Sequence, residues 1–395
     1  MNIAIVGLFE FNPEMGGAER VSVTLAQKLQ QYGYGIYFVV LAKSPYAKIY
    51  TPVAEQIILP NISDPCCEDN IRCFSDFIIE KKVDVILNQF AHFQYMTNLC
   101  IQVKKRTHTK LLSAIHLDPA YNMKLYQAGL PMYYANVYFK RYIKFYIKKM
   151  FPFLLKRSMK FYANLYNYLY NESAAVVLLS EHFIPAFQEI TGLVDIAKLE
   201  AITNPLSFIS NEEIYQKEKQ LLWVGRFDLD QKRPERLVKI WSYLEDKYSD
   251  WKVLFLGDGP SKTHVEKLVR QLGLKNVEFE GFNDPVNAYK KSSIICMTST
   301  FEGFGLVLTE AMQFGTVPIA FDSFENLCDI VDDGVNGYRI KPFDLKMYAL
   351  RLSDLMSNEE LRKKMSENAK RHVFEKFCPD KITSQWINLL NKIKK

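Results

Sequence analysis

The chain has 395 residues, 48% of them hydrophobic and 24% charged, with a net charge of +6. This is ordinary globular composition, enough for roughly two or three domains, and it excludes a disordered or fibrous chain. Seven cysteines without a C-x-x-C pair argue against a disulfide framework or a zinc site and point to a reducing, cytoplasmic setting. The opening Met1-Asn2-Ile3-Ala4-Ile5-Val6-Gly7 lacks the positive region of a signal peptide. No apolar stretch approaches the roughly 18 residues that span a bilayer.

Short apolar runs alternate with longer amphipathic stretches. In chain order the runs are Ile3–Phe9, Ile36–Leu41, Val83–Leu87, Leu111–Ile115 and Ala174–Leu179, and a second series follows with Leu221–Val224, Val253–Leu256, Val277–Phe279, Ile294–Met297 and Val317–Phe321. Runs that are apolar throughout fit strands covered on both faces of a parallel sheet. Strand followed by helix, repeated, predicts α/β doubly wound domains. The two series open alike. The first strand leads through Gly16-Gly17 into the helical pattern Ala18–Gln31, and Gln220–Gly225 leads through a loop into Pro234–Lys247. The join falls near Ile202-Thr203-Asn204-Pro205, since a residue before proline rarely continues a helix, so residues 1–204 form the first domain. Ligands of such sheets bind at the carboxyl ends of strands, and two such domains facing each other would share a cleft.

Charge is unevenly distributed. Residues 119–171 contain no Asp or Glu, nine Lys/Arg and sixteen Tyr or Phe, so the remainder of the chain is net negative. From Tyr133 to Tyr170 aromatics and leucines fall among lysines at near-helical spacing, as in Phe145, Met150, Phe153, Leu154 and Arg157. A cationic aromatic helix can lie in the interface of an anionic membrane. It can equally pack its aromatics on its own domain, and the two readings stay open. No nucleic-acid-binding motif accompanies the segment.

Three constellations can carry chemistry. In Thr300-Phe301-Glu302-Gly303-Phe304-Gly305-Leu306, a strand runs into a helix that Gly315 closes. Gly303 and Gly305 leave backbone N–H groups open to phosphate or hydroxyl oxygens. Glu302 and Glu310 are carboxylates able to grip vicinal hydroxyls, although alone they also read as a helix cap and a surface residue. In Gly225-Arg226-Phe227-Asp228-Leu229-Asp230-Gln231-Lys232-Arg233-Pro234, Arg226 and Lys232 project from a strand's carboxyl edge, where two cations can neutralise a diphosphate. Asp228-x-Asp230 raises a competing metal-site reading, weakened by the cations on either side. His116 ends the run Leu111–Ile115 at the predicted cleft. No G-x-G-x-x-G after a strand, G-x-x-x-x-G-K-[ST] or H-E-x-x-H occurs, which argues against dinucleotide oxidoreductases, P-loop NTPases and zinc hydrolases.

Together Gly16-Gly17-Ala18-Glu19, Gly225-Arg226…Lys232, Gly257-Asp258-Gly259-Pro260, the pair Glu302…Glu310 and Asp333-Gly334-Val335-Asn336-Gly337-Tyr338 resemble the retaining GT-B glycosyltransferases of family 4. The resemblance implies an α/β GT-B fold of two Rossmann-like doubly wound domains. It also implies a nucleotide-sugar domain over 205–375 and a final helix over 376–395, with Trp386, crossing back to the first domain. Arg226 and Lys232 would bind the donor diphosphate, and Glu302, Gly303, Phe304, Gly305 and Leu306 the sugar and a phosphate. Glu310 would take the ribose, and Phe282 and Asn283 would face the base. Gly16 and Gly17 would approach the donor, and His116 the transferred sugar. No metal or other cofactor is implied. The expected reaction moves a hexose from a nucleotide sugar, a UDP-sugar favoured, to a saccharide or lipid-linked glycan in cell-surface polysaccharide or lipopolysaccharide synthesis. The enzyme would be cytoplasmic, held peripherally on the inner face of the membrane through 119–171. Rival readings are a soluble epimerase or synthase of the same fold, which needs no membrane-facing segment, and a non-catalytic membrane-binding protein, disfavoured by the joint presence of Arg226, Lys232, Glu302 and Glu310.

Overall fold

The computed structural model describes residues 1–14, 16–43, 51–121, 123–124, 139–208 and 215–394; the side chains of 141, 152, 154–156 and 158 are also outside the description. The expected basic aromatic segment therefore lies partly outside the described residues. The chain divides into two compact units. Met1–Pro119, Lys156–Ser207 and Phe377–Lys395 make the first; Ala120–Leu155 and Phe208–Lys376 make the second. Residues 120–155 group with the second unit, where Tyr121 packs against the Phe301 ring and Lys124 pairs with Glu325 at 3.0 Å.

In the first unit, β1 (Asn2–Phe9), β2 (Gly35–Ala42), β3 (Glu55–Ile58), β4 (Val85–Asn88), β5 (Lys110–Ile115), β6 (Ala175–Leu178) and β7 (Leu199–Ala201) form one sheet in the order β3-β2-β1-β4-β5-β6-β7. Every pairing is parallel. Crossover helices cover both faces, so the central strands are buried almost end to end, as their uninterrupted apolar runs require. The final helix, Pro379–Lys394, sets Ile382, Trp386, Leu389 and Leu390 into this unit's core beside Leu25, Leu29 and Ile3.

In the second unit, β8 (Glu218–Val224), β9 (Lys252–Leu256), β10 (Val277–Glu280), β11 (Ser292–Met297), β12 (Val317–Phe321) and β13 (Tyr338–Ile340) pair in parallel in the order β10-β9-β8-β11-β12-β13. Its core centres on Trp223, Trp241, Trp251, Phe227 and Phe255. The helical pattern predicted over Pro234–Lys247 is shorter in the structure, a helix over Pro234–Trp241. Beyond it the backbone tightens into turns in which Tyr243 N–H donates to Ile240 and Leu244 N–H to Trp241.

Each strand order reverses direction at one point: between β1 and β4 in the first sheet, and between β8 and β11 in the second. A crevice opens at such a point, where loops leave neighbouring strands in opposite directions. The loops there are Glu10–Gly16 and Gln89–Phe93 in the first unit, and Gly225–Arg233 and Thr298–Gly305 in the second.

Candidate functional site

In the second unit the two switch-point loops are laced together. Asp228 organises the first: its Oδ1 accepts the backbone N–H of Gln231 at 2.7 Å and of Lys232 at 3.2 Å, and its Oδ2 accepts Arg226 Nε at 3.0 Å. Both oxygens of this carboxylate thus hold the loop's own cation and backbone. Arg233 follows in the left-handed region at φ 53°, and Pro234 starts the next helix with its fixed φ and no N–H to lose. Thr298 Oγ1 donates to the Arg233 carbonyl at 2.9 Å and accepts the Trp223 indole N–H at 3.1 Å, while Thr300 N–H donates to the Gln231 carbonyl at 2.7 Å.

Across this lacing, Lys232 Nζ donates to Glu302 Oε1 at 2.7 Å, with the amine mostly covered and the carboxylate buried. Ser299 Oγ donates to the same oxygen at 2.6 Å, and Gln231 Nε2 to Oε2 at 3.2 Å. A buried carboxylate needs several donors, and these three supply them. Directly after Glu302 the chain turns into the helix Leu306–Gln313 through Gly305, at φ 83°, where a Cβ would stand 3.2 Å from the Phe324 ring. Asn326 Nδ2 fixes the Gly303 carbonyl at 3.2 Å. Gly305 brings no side chain to cap the helix, so the first turn faces the switch point with its positive dipole end.

The other predicted positions differ. Glu310 lies buried further along that helix, where its Oε2 accepts the Tyr289 hydroxyl at 2.9 Å. Arg226 extends into solvent beyond its contact with Asp228. Phe282 and Asn283 stand exposed on the loop after β10, where Asn283 Oδ1 accepts the Asp284 N–H at 3.0 Å. The structure thus joins Lys232 directly to Glu302 and ties Arg226 to the same turn through Asp228. It joins Glu310 to Tyr289 instead.

In the first unit, Gly16 precedes the helix Gly17–Gln31 in extended backbone, and a Cβ there would come 2.7 Å from Glu19 Oε2. Burial raises the Glu19 carboxyl above its usual range, opposed by its own backbone and by Arg20. His116 leaves the end of β5, and its Nε2 lies 2.5 Å from Oε1 of the buried Gln89. Because Oε1 only accepts, Nε2 carries the proton and Nδ1 keeps its lone pair. Burial lowers His116 to a pKa of about 4, and burial together with His116 lowers the neighbouring His92 to about 3.

Both rings are therefore neutral in the folded chain at neutral pH, whereas in the unfolded chain they titrate near 6.5. Below that pH the unfolded chain gains protons that the folded one refuses, so their stabilisation is full above about pH 6.5 and is lost as pH falls toward about 4. We expect the Tm to drop between about pH 7.5 and about pH 5, and His116→Gln to lessen that drop. Differential scanning fluorimetry at the two pH values checks this, and an unchanged drop in the variant counts against the assignment.

Sequence reasoning did not find Gln231, Ser299, Tyr289 or Gln89. Gln231, Tyr289 and Gln89 each act through a hydrogen bond to a residue more than twenty positions away, Ser299 bonds Glu302 three positions on, and single glutamines, serines and tyrosines carry no motif. Gln231 alone had a signal, lying inside the Arg226–Lys232 stretch.

Two parallel α/β sheets with their switch-point loops define a GT-B fold. Anabaena HepE, solved in complex with UDP-glucose, superposes with a TM-score of 0.75 over 99% of this chain and 100% of that one, at 15% identity. Residues 207–372 match the family Glycosyl transferases group 1. An uncharacterized glycosyltransferase of Haemophilus influenzae is 30% identical over 48% of this chain and 54% of its own length. The GalNAc-alpha-(1->4)-GalNAc-alpha-(1->3)-diNAcBac-PP-undecaprenol alpha-1,4-N-acetyl-D-galactosaminyltransferase of Campylobacter jejuni is 28% identical over 50% of this chain and 56% of its own length. The chain thus spans about half the length of these curated relatives.

Proposed function

We propose that the protein is a retaining, metal-independent glycosyltransferase that moves a hexose from a UDP-sugar to a saccharide or lipid-linked glycan, in the synthesis of cell-surface polysaccharide or lipopolysaccharide. The observation that carries this reading is the buried Lys232–Glu302 pair at the uncapped start of the helix Leu306–Gln313. A cation, a dipole end and a carboxylate meet there, which suits one ligand that bears both a diphosphate and sugar hydroxyls. The UDP complexes of similar folds and the lipid-linked glycan in the name of the Campylobacter relative support the choice of donor and acceptor.

Breaking the bond between anomeric carbon and phosphate builds negative charge on the leaving diphosphate and positive charge on the sugar ring. Fixed cations and amides aimed at that phosphate are the largest stabilising term available. In this reading Lys232 and Arg226 take the diphosphate, the backbone N–H groups of Gly305 and Leu306 take a phosphate oxygen, and Glu302 takes a sugar hydroxyl. Glu310 takes the ribose, Phe282 and Asn283 flank the base, Gly16 and Gly17 let backbone approach the donor, and neutral His116 offers a hydrogen bond to the hexose. Among the described residues of the site no side chain is an obvious covalent nucleophile, and in this reading the acceptor hydroxyl attacks on the leaving-group face and its proton passes to the departing diphosphate.

The test is thermal shift with UDP-, GDP- and ADP-sugars, followed by release of free nucleoside diphosphate. A bound donor raises apparent stability by about 2.7 kcal/mol at a hundred times its Kd. We expect the largest shift with a UDP-sugar and slow UDP release without acceptor. Absence of both, with every donor tried, refutes the reading.

A further inference from the structure

We infer that the helix Phe139–Met150 is a docking face for an anionic bilayer surface. Along it Phe139, Ile143, Ile147 and Met150 are 39–72% exposed. Their spacing confines them to about 80° of the helix circumference, at ~100° per residue. Among the described side chains of this helix the buried one, Phe145, falls on the opposite side, about 160° from the middle of that stripe. The helix therefore meets its packing need with one face and turns four large apolar side chains outward with the other. Phe151 and Phe153 continue the apolar surface past the helix end, both exposed and edge to face at 5.9 Å.

Charge chooses the occupant. Lys140 and Lys144 border the stripe on one side, about 20° and 60° past Ile147 at ~100° per residue, and no acidic residue occurs between Asp118 and Glu172. Apolar side chains reaching the headgroup boundary, with lysines at anionic lipid, are the signature of a helix lying in an interface. Among the described residues no helix is long and apolar enough to cross a membrane, so the contact is with the surface. A second copy of the chain fits poorly, because an antiparallel two-fold pairing of the stripe would bring like lysine rows together. Nucleic acid fits less well, since the stripe on the helix is mainly aliphatic, Ile143, Ile147 and Met150, with Phe139 its one ring able to stack on a base. The inference deepens the proposed function, and rests on it only for its purpose, which is to bring the enzyme to an acceptor carried in the membrane.

The experiment is co-sedimentation of the full chain with phosphatidylcholine vesicles, with or without about a third phosphatidylglycerol, at physiological and at ~0.5 M salt, which shortens electrostatic reach to a few ångströms. Binding to the anionic vesicles should be at least tenfold tighter than to the neutral ones, and the difference should shrink at high salt. Phe139→Ser/Ile143→Ser/Ile147→Ser should lose binding at least tenfold, and Lys140→Glu/Lys144→Glu should lose the anionic preference. Equal or absent binding to the two vesicle types overturns the proposal. So does a wild-type dimer, seen by light scattering, that the apolar substitutions dissociate. All five positions are exposed, so the Tm should stay unchanged and folding does not confuse the result. Nucleoside diphosphate release in vesicle-free buffer reads the proposed catalysis separately: its failure with vesicle binding intact leaves the docking face standing, and the converse leaves the enzyme standing.

Discussion

Lys232→Ala is expected to lose at least ~10²-fold in turnover under the proposed reaction, the usual consequence of removing one preorganised donor from a developing negative charge. The substitution has a second effect that must be separated from the first. It leaves the buried Glu302 carboxylate with Ser299 Oγ and Gln231 Nε2 and without a cation. Breaking a buried pair from one side costs about 3–5 kcal/mol when it strands a charge, and less where water reaches it, as at the partly exposed amine here. Stability and turnover therefore fall together in the single variant. Adding Glu302→Gln removes the stranded charge, so the double variant should recover most of the Tm while turnover stays low. Lys232→Arg keeps the charge but exchanges a compact ammonium for a planar fork, and should keep the Tm better than it keeps kcat. Near-wild-type kcat in Lys232→Ala would remove the electrostatic basis of the proposed reaction.

The largest effect on stability is expected at Gly257. Its φ is +140°, and a Cβ there would stand 2.0 Å from the Gly225 carbonyl oxygen, a backbone atom that cannot swing aside. The loops after β8 and β9 run backbone against backbone: Gly225 N–H donates to Leu256 and Phe227 N–H to Asp258. Gly257→Ala must push these strands apart or force the residue into another conformation, and should cost at least ~2 kcal/mol. In a unit of this size that lowers the Tm by about 4–8 °C. Gly273 is the control, since it also has a positive φ, +67°, but nothing within 4 Å of its Cβ position. Its alanine variant should cost only the left-handed strain, about 1–2 kcal/mol. Because Gly225 immediately precedes Arg226, Gly257→Ala should also weaken the donor-induced thermal shift. If the two alanine variants prove equally stable, the close approach of these loops is not what selects glycine.

The central strands were legible in the sequence because both faces of a parallel sheet are covered, which leaves an apolar run with no alternation. The strands it missed are β3, β7 and β13, and each lies at a sheet edge. Edge strands are short and partly exposed, so Glu55–Ile58, Leu199–Ala201 and Tyr338–Ile340 carry little of that pattern. The helix after Pro234 was legible at its start, where proline and the turn before it are local signals, and not at its end, which tertiary packing decides. Within the candidate site, the glycines, cations and carboxylates stood out because their spacing is part of a motif. The role of Asp228 did not, because D-x-D spacing looks the same whether it binds a metal or ties down its own loop.

One feature of the fold bears on how the protein is made. The helix Pro379–Lys394 supplies Trp386, Ile382, Leu389 and Leu390 to the core around β1 and β2. Strands β1 and β2 are therefore synthesised well before the helix they wait for, and the second unit has its whole sequence available before the first can close. During translation the early sheet must persist on the ribosome with an apolar seam uncovered, a period in which chaperones have something to hold.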